Sequence, residues 1–505
     1  MTDTKAAARG AGSVLATSCL STFVVNANTS AVSILLPSIS ADLGAPIDLL
    51  QWAVTGYLLV GAATIVTSGV LGDVFGRRLL FLSGLALFVA SCALIALAPT
   101  GEMVVLGRVI QGASGAAILA TGLSLLSVAT DGPARMRAVT LWGAASAAGA
   151  AAGPVLGGVL NEVAGWQGLF WLDAAIAAVC IPWVMAAVPE SRDPDRPRSV
   201  DLAGTVLVAA ILAPLIFAVT EGSTWGWASP ATLGCLAVSV LAVVGFVLVE
   251  RRVTAPLIDL ALLRNLLLVV STVAILIGAG AIAGISFLIS LYFQSPAAFG
   301  MSSLEAGLAC LPVALVVVLA APAVAPLAHR FGGRPVVVLG FLLLTGGFVL
   351  LTFVGAGWTY LMFLPGLLAV ALGLSLSNGP ASSAATESVP PAQVGAASGI
   401  SNMARYVGGA VVTAIVAGLY TSVDTAQTAA GATPSDSLAT AFSRACIALV
   451  VVSALGIPLA RRAGRKPKPT PVQLAAAAAA TTVSLPVHDA VPVAPSPAPQ
   501  AGGVR

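Results

Sequence analysis

The sequence predicts an all-α polytopic membrane protein with fourteen transmembrane helices. Three observations predict it: a composition too apolar for water, fourteen apolar runs of spanning length, and basic residues that gather after every second run. Of 505 residues, 58% are hydrophobic and 9% charged, against about 25% charged in a globular protein. No aqueous core absorbs that excess, so lipid is the solvent for most of the chain. The net charge of +3 says less than where the charges sit.

A spanning helix needs about 20 mostly apolar residues. In chain order such runs lie at 13–37, 48–71, 79–98, 103–128, 137–160, 167–188, 202–221, 229–249, 266–293, 304–328, 335–354, 358–379, 395–421 and 440–460. Lys5 and Arg9 precede the first. Arg77 and Arg78 follow the second, Arg135 and Arg137 the fourth, and Arg192, Arg196 and Arg198 the sixth. Arg251, Arg252 and Arg264 follow the eighth, Arg330 and Arg334 the tenth, and Arg461, Arg462, Arg465, Lys466 and Lys468 the last. The loops on the other side hold almost no Lys or Arg, Arg444 excepted. The positive-inside rule then places both termini in the cytoplasm. A missed or invented helix breaks this alternation. Trp52, Trp166, Trp225, Trp227 and Trp358 fall near the opposite helix ends, as an interfacial belt does.

The first run is longer than a signal-peptide core and leads directly into further spans, so no cleavable signal is expected. Six cysteines lie inside apolar runs with neither disulfide nor metal spacing. No Gly-x-x-x-x-Gly-Lys-Ser/Thr loop occurs, so any uphill work draws on an ion gradient rather than a bound nucleotide. No cofactor, metal or nucleic acid is implied.

Leu71-Gly-Asp73-Val-Phe-Gly76-Arg77-Arg78 after the second run is echoed by Leu327-Ala-His329-Arg330-Phe-Gly-Gly-Arg334 after the tenth, with four of eight positions shared. The echo is offset by eight helices. Two six-helix halves with two helices inserted between them account for it, the usual repeat architecture of secondary transporters. The expected division is a cytoplasmic N-terminus at 1–12, a first six-helix bundle at 13–188, two inserted helices with flanking loops at 189–265, a second bundle at 266–460, and a disordered cytoplasmic tail at 461–505 rich in Ala, Pro, Val and Thr.

The fifth run carries Gly149-Ala-Ala-Ala-Gly153-Pro154-Val-Leu-Gly157-Gly158. In a soluble helix each Gly costs roughly 1 kcal/mol against Ala and Pro roughly 3. A membrane helix tolerates them, because small residues allow close helix contact. Gly149, Gly153 and Gly157 recur every fourth residue on one smooth face. The run makes a flat, bendable helix at a place where something must slide or pack tightly; pure helix packing is the plainer reading.

Charges inside the spans are few. Arg108 lies about six residues, roughly 9 Å, into the fourth run. A charge at that depth costs on the order of 3 kcal/mol and faces a cavity or partner unless it snorkels to the headgroups. Arg405, near the middle of the thirteenth run, either faces such a cavity or bonds backbone carbonyls. Asp173, six residues into the sixth run, is the deepest acid; Glu221, Glu102, Glu305 and Asp48 sit nearer the outer ends. Asp173 reads either as a solvated interfacial carboxylate or as a coupling group.

These residues resemble a known family. Gly69-x-Leu71-x-Asp73-x-x-Gly76-Arg77-Arg78 is similar to the signature loop of the major facilitator superfamily. Leu106-x-Arg108-x-x-Gln111-Gly112 resembles its basic motif in helix 4, and the Gly-Pro run its antiporter motif in helix 5. Gln51-Trp52-x-x-x-x-Tyr57, Asp201-x-x-Gly204, Pro256-Leu-Ile-Asp-Leu260, and Ala306-Gly307-Leu308 with Leu311-Pro312 resemble positions of the fourteen-helix drug:proton antiporters. The resemblance implies the major facilitator fold, alternating access, a proton gradient as energy source, and export of drugs or an endogenous antibiotic across a bacterial plasma membrane by a monomer. A facilitator or importer on the same scaffold is the alternative; the two histidines, in a loop and the tail, speak against an enzyme. The resemblance makes the loop after the second run a latch that breaks when the halves rock; an ordinary salt-bridged turn is the other reading.

The chain departs from the family at two points. Aligning Leu36-Pro37 places Asn28 where the family carries an Asp, and Asn cannot titrate. His329 stands where the second loop expects an Asp. Transport and coupling candidates are therefore Arg108, Asn28, Asp173, Arg405 and Gln111. With arginines as the deepest charges, a neutral, zwitterionic or anionic amphipathic substrate is expected rather than a quaternary cation.

Overall fold

Fourteen helices of membrane-spanning length and apolarity build the protein, and among the described residues there is no strand. The computed structural model describes residues 2–130, 132–192, 201–254, 256–390 and 393–463. Most of the expected tail, Arg196, Arg198, and the side chains of residues 2–11 and of His329 lie outside that description. The helices are α1 (Thr2–Leu43), α2 (Ile47–Phe75), α3 (Arg77–Ala96), α4 (Gly101–Ala129), α5 (Gly132–Ala164), α6 (Gln167–Ala187), α7 (Leu202–Trp225) and α8 (Pro230–Glu250). A short 3₁₀ turn at Leu262–Arg264 leads into α9 (Leu266–Gln294), α10 (Ser303–Ala309), α11 (Leu311–Phe331), α12 (Gly333–Leu351), α13 (Tyr360–Glu387), α14 (Val394–Ala429) and α15 (Pro434–Ala463).

Each predicted run is a helix. The tenth is two: α10 and α11 meet at Cys310, because Pro312 in the first turn of α11 has no N–H to continue the ladder. A capping box opens α10, with Ser302 Oγ accepting from Glu305 N (3.2 Å) and Glu305 accepting from Ser302 N (2.8 Å). Several helices outrun the apolar stretch that predicted them. α14 has 36 residues, about 54 Å of helix against a hydrocarbon core of about 30 Å.

The packing pairs repeat. α1 packs on α5, and α9 on α14; α3 packs on α4 and α6, and α12 on α13 and α15; α2 packs on α4, and α11 on α13. The echoed loops share a conformation too. Gly76 between α2 and α3 has φ 129°, and Gly332 between α11 and α12 has φ 89°. Only glycine adopts such angles without strain, and each turns one helix directly into the next. α7 packs on α2 and α14. Trp52 stacks on Phe217 with centroids 4.3 Å apart and donates to Glu221 (3.3 Å), and the Thr67 and Thr205 hydroxyls meet at 2.7 Å. α8 packs on α7 and turns Val240 and Leu241 outward, as lipid-facing residues do.

One tryptophan corrects the interfacial belt. Trp166 is buried, because Asp42 at the end of α1 accepts its indole N–H at 2.8 Å. Trp225 and Trp227 are exposed at the helix ends.

Candidate functional site: a buried polar relay and a sealed end

Arg108 is the largest fully buried side chain among the described residues. Helix α4 carries it beside α1, α2 and α6. Its Nε donates to Ala53 O on α2 (3.0 Å), and Nη1 donates to Asn28 Oδ1 on α1 (2.5 Å) and to Gln111 Oε1 one turn along α4. The guanidinium lies 4.2 Å from the centroid of the Tyr57 ring, a cation–π contact. Gln111 is held in turn by donating to Cys92 Sγ (3.0 Å). This is no arginine snorkelling to the headgroups.

Asn28 then donates from Nδ2 to Asp173 Oδ2 on α6 at 2.7 Å. A guanidinium only donates and a carboxylate only accepts, so an amide between them has one workable orientation. Asn28 thus serves as a neutral adaptor: its oxygen faces Arg108 and its nitrogen faces Asp173. A carboxylate at position 28 would set two acids against each other. Asp173 is 4% exposed, so the reading of a solvated interfacial carboxylate is corrected. An acid stands on α6 instead, one hydrogen bond beyond Asn28 as seen from the arginine. No periodicity signals this contact, because Asn28 and Asp173 are 145 residues apart.

Tyr57 carries the arrangement toward α14. Its ring centroid lies 6.2 Å from that of Tyr406, and its hydroxyl lies 3.1 Å from Thr29 Oγ1. Gly61 and Leu58 of α2 face Tyr406 and Gly409 of α14. Arg405 does not join the relay: it is half-buried, and Nη2 donates to Ser382 Oγ on α13 at 2.6 Å.

The Gly-Pro run of α5 divides its work between two neighbours. Gly149, Gly153 and Gly157 lie on α1, where a Cβ would strike Phe23 O, Ala27 O and Ala31. Gly158 faces the other way. A Cβ there would lie 2.5 Å from Ser303 O and 2.8 Å from Leu304 Cα of α10. From the α10 side, a Cβ on Gly307 would lie 2.5 Å from Pro154 O. A polar knot ties the same level. Asn161 Nδ2 donates to Ser38 Oγ (3.1 Å) and Ser303 Oγ (3.2 Å), Ser303 donates to Gln294 Oε1 (2.9 Å), and Gln294 donates to Ile34 O (2.9 Å). Ser290 Oγ donates to Ser33 O. These bonds join α1 and α5 to α9 and α10 at the end where α1 finishes. Sequence reasoning missed Ser38, Asn161, Ser303 and Gln294.

At the other end, Asp73 pairs with Arg77 one turn away, at 2.9 Å. Gly69 has open space where a Cβ would stand. Glu190, also missed, accepts from the backbone N–H groups of Arg78 (3.0 Å) and Leu79 (3.1 Å), and Arg78 donates to Met185 O (2.6 Å). An acid at the first turn of α3 satisfies N–H groups with no helical partner. Among the described residues no three of His, Cys, Asp and Glu gather as a metal site would require.

Comparison with known proteins decides the family. The family model described as Major Facilitator Superfamily matches residues 18–413. The chain belongs to the Major Facilitator Superfamily. The transporter is 33% identical over 407 residues to the tetracenomycin C resistance and export protein of Streptomyces glaucescens, covering 79% of this chain and 74% of that one. It is 31% identical over 432 residues to the multidrug efflux pump LfrA of Mycolicibacterium smegmatis, covering 85% of each. The crystal structure of peptide transporter POT in complex with sulfate shares the fold, with a TM-score of 0.65 and 17% identity over 89% of this chain and 95% of that one. The protein is a multi-pass membrane transporter of a small molecule, not an enzyme.

Proposed function

We propose that the transporter exports antibiotics or other amphipathic drugs by proton antiport, with Asp173 carrying the proton. The observation behind the coupling is the relay Asp173–Asn28–Arg108, a buried acid one amide away from a buried base. When ionised, Asp173 offsets the guanidinium. When protonated, it leaves that charge uncompensated in a low-dielectric interior, where the cost is highest. Proton binding therefore changes the relative energies of two conformations, as coupling requires. The resistance and export functions named for the relatives support the drug-exporter reading.

In this reading residues 13–188 and 266–460 are two rocking halves, 189–265 the inserted pair, and 1–12 and 461–505 cytoplasmic ends. The end tied by the Ser38–Asn161–Ser303 knot faces outward, and a neutral or anionic amphipath enters a monomer from the cytoplasm of a bacterium. The basic residues support this orientation. Green fluorescent protein fused after Arg505 is expected to fluoresce, and alkaline phosphatase fused at Thr100 to be active; the opposite pair of results would invert the topology. The export reading is tested in an efflux-deficient bacterial host carrying the gene. Resistance to some members of an antibiotic panel is expected to rise several-fold and to vanish with a proton-gradient collapser. Unchanged sensitivity across the panel, despite expressed protein, would count against export.

A further inference from the structure

The two arginines inside the spans differ in one respect that bears on the cargo, given the export reading above. Arg108 is enclosed, stacked on Tyr57 and joined through Asn28 to an acid. Arg405 lies eleven residues into α14 (405 minus 394), about 17 Å along the helix axis. It is half-buried, it donates to the Ser382 hydroxyl, and no carboxylate of the described residues lies within ion-pair distance. The faces of α14 beside it are occupied. Gly408 closes on Leu276 of α9, and Tyr406 and Gly409 close on α2. Arg405 is left facing α13. There Ser382 donates to Asn378 O one turn earlier (2.8 Å), which leaves its oxygen as the acceptor that holds Arg405.

A guanidinium has five N–H donors in a fork that matches a carboxylate, and Ser382 takes one of them. An uncompensated charge at this depth is costly and marks a substrate path. We infer that Arg405, held against α13 by Ser382, receives an anionic group of the transported compound, a carboxylate or an equivalent phenolate, on its remaining N–H groups. Arg108 is the weaker receiver, because it is fully buried and Asn28 already links it to an acid. The cargo class narrows from neutral or anionic amphipaths to those with an acidic group attached to an apolar body.

The test uses the purified full-length transporter in maltoside micelles, with anthracene-9-carboxylate and anthracene-9-carboxamide as probes of one shape and two charges. Wild-type protein is expected to bind the carboxylate at least roughly tenfold more tightly, the size of one charge-assisted hydrogen bond. Arg405→Gln is expected to remove that preference while changing carboxamide affinity less than about twofold, and Arg405→Lys to keep part of it. Ser382→Ala, which leaves the guanidinium in place, should lose only a few-fold, and melting curves confirm that each variant is folded. Equal affinity of wild type for both probes, no binding of either, or an equal loss of both in Arg405→Gln would overturn the inference. A transporter that confers gradient-dependent resistance yet shows no carboxylate preference keeps the export reading and loses this one.

Discussion

Asp173→Asn is expected to reduce gradient-driven efflux to the level of an empty vector while leaving downhill exchange of substrate measurable. The substitution keeps the shape of the side chain and a hydrogen bond to Asn28, since an amide oxygen still accepts from Nδ2 at the 2.7 Å contact. It removes the titratable charge. Arg108 then stays uncompensated in every state, a situation that costs about 3–5 kcal/mol when one member of a buried pair is deleted. The amide adaptor between them moderates that figure, so the variant should fold with a lowered melting temperature. Proteoliposomes separate the effects: a pH gradient should accelerate uptake by wild type and leave Asp173→Asn unaffected, with counterflow persisting in both. The exchange Asn28→Asp with Asp173→Asn is the sharper experiment. It returns the acid to α1, within direct hydrogen-bond distance of Arg108 Nη1 (2.5 Å), and makes the α6 residue the amide. Part of the gradient-driven rate should come back. Full gradient-driven efflux by Asp173→Asn alone would remove Asp173 from the mechanism.

The helices were legible because hydropathy over about 20 residues is a property of the chain itself. Arg108, Arg405 and Asn28 were legible for a related reason, since a polar group in an apolar run stands out at its own position. What Asn28 touches was not legible. The bond to Asp173 depends on α6 packing beside α1, a tertiary fact with no local trace. The knot at Ser38, Asn161 and Ser303 was hidden differently. A serine in a membrane helix satisfies itself on the carbonyl three or four residues back, as Ser30 does on Asn26 O (3.1 Å), so serines in such helices carry little signal. Pro312 did carry a signal for the break at Cys310. Trp166 misled because a tryptophan at a helix end fits both an interfacial belt and a buried cap, and only Asp42 decides. The Gly-Pro run was recognised as a close-packing face, but Gly158 points away from the other three toward α10.

That second face gives a large expected effect of its own. The pair Gly158→Ala and Gly307→Ala adds one methyl on each side of the contact between α5 and α10. Both meet backbone, Ser303 O at 2.5 Å and Pro154 O at 2.5 Å, and neither neighbour has a flexible end that can swing aside. Overpacking of this kind costs about 1–3 kcal/mol. The strain exists only while α5 and α10 are in contact, so the cost falls on the conformation sealed at this end and spares the one open there. Each 1.4 kcal/mol shifts the balance about tenfold, so the open form should gain tenfold to a hundredfold in population. Cysteines introduced by Ser38→Cys and Ser303→Cys, whose native hydroxyls lie 3.0 Å apart, report the balance. They should cross-link readily in the otherwise native background and far more slowly with both alanines present, while labelling by a membrane-impermeant maleimide rises. Efflux should fall, because a transporter held open at this end spends less time loading at the other. Asn161→Ala, which deletes hydrogen bonds of the same knot without adding volume, should shift the balance in the same direction by a smaller amount. If the double alanine variant cross-links as fast as its parent, the contact between α5 and α10 is not the seal, and the Gly-Pro run serves packing against α1 alone.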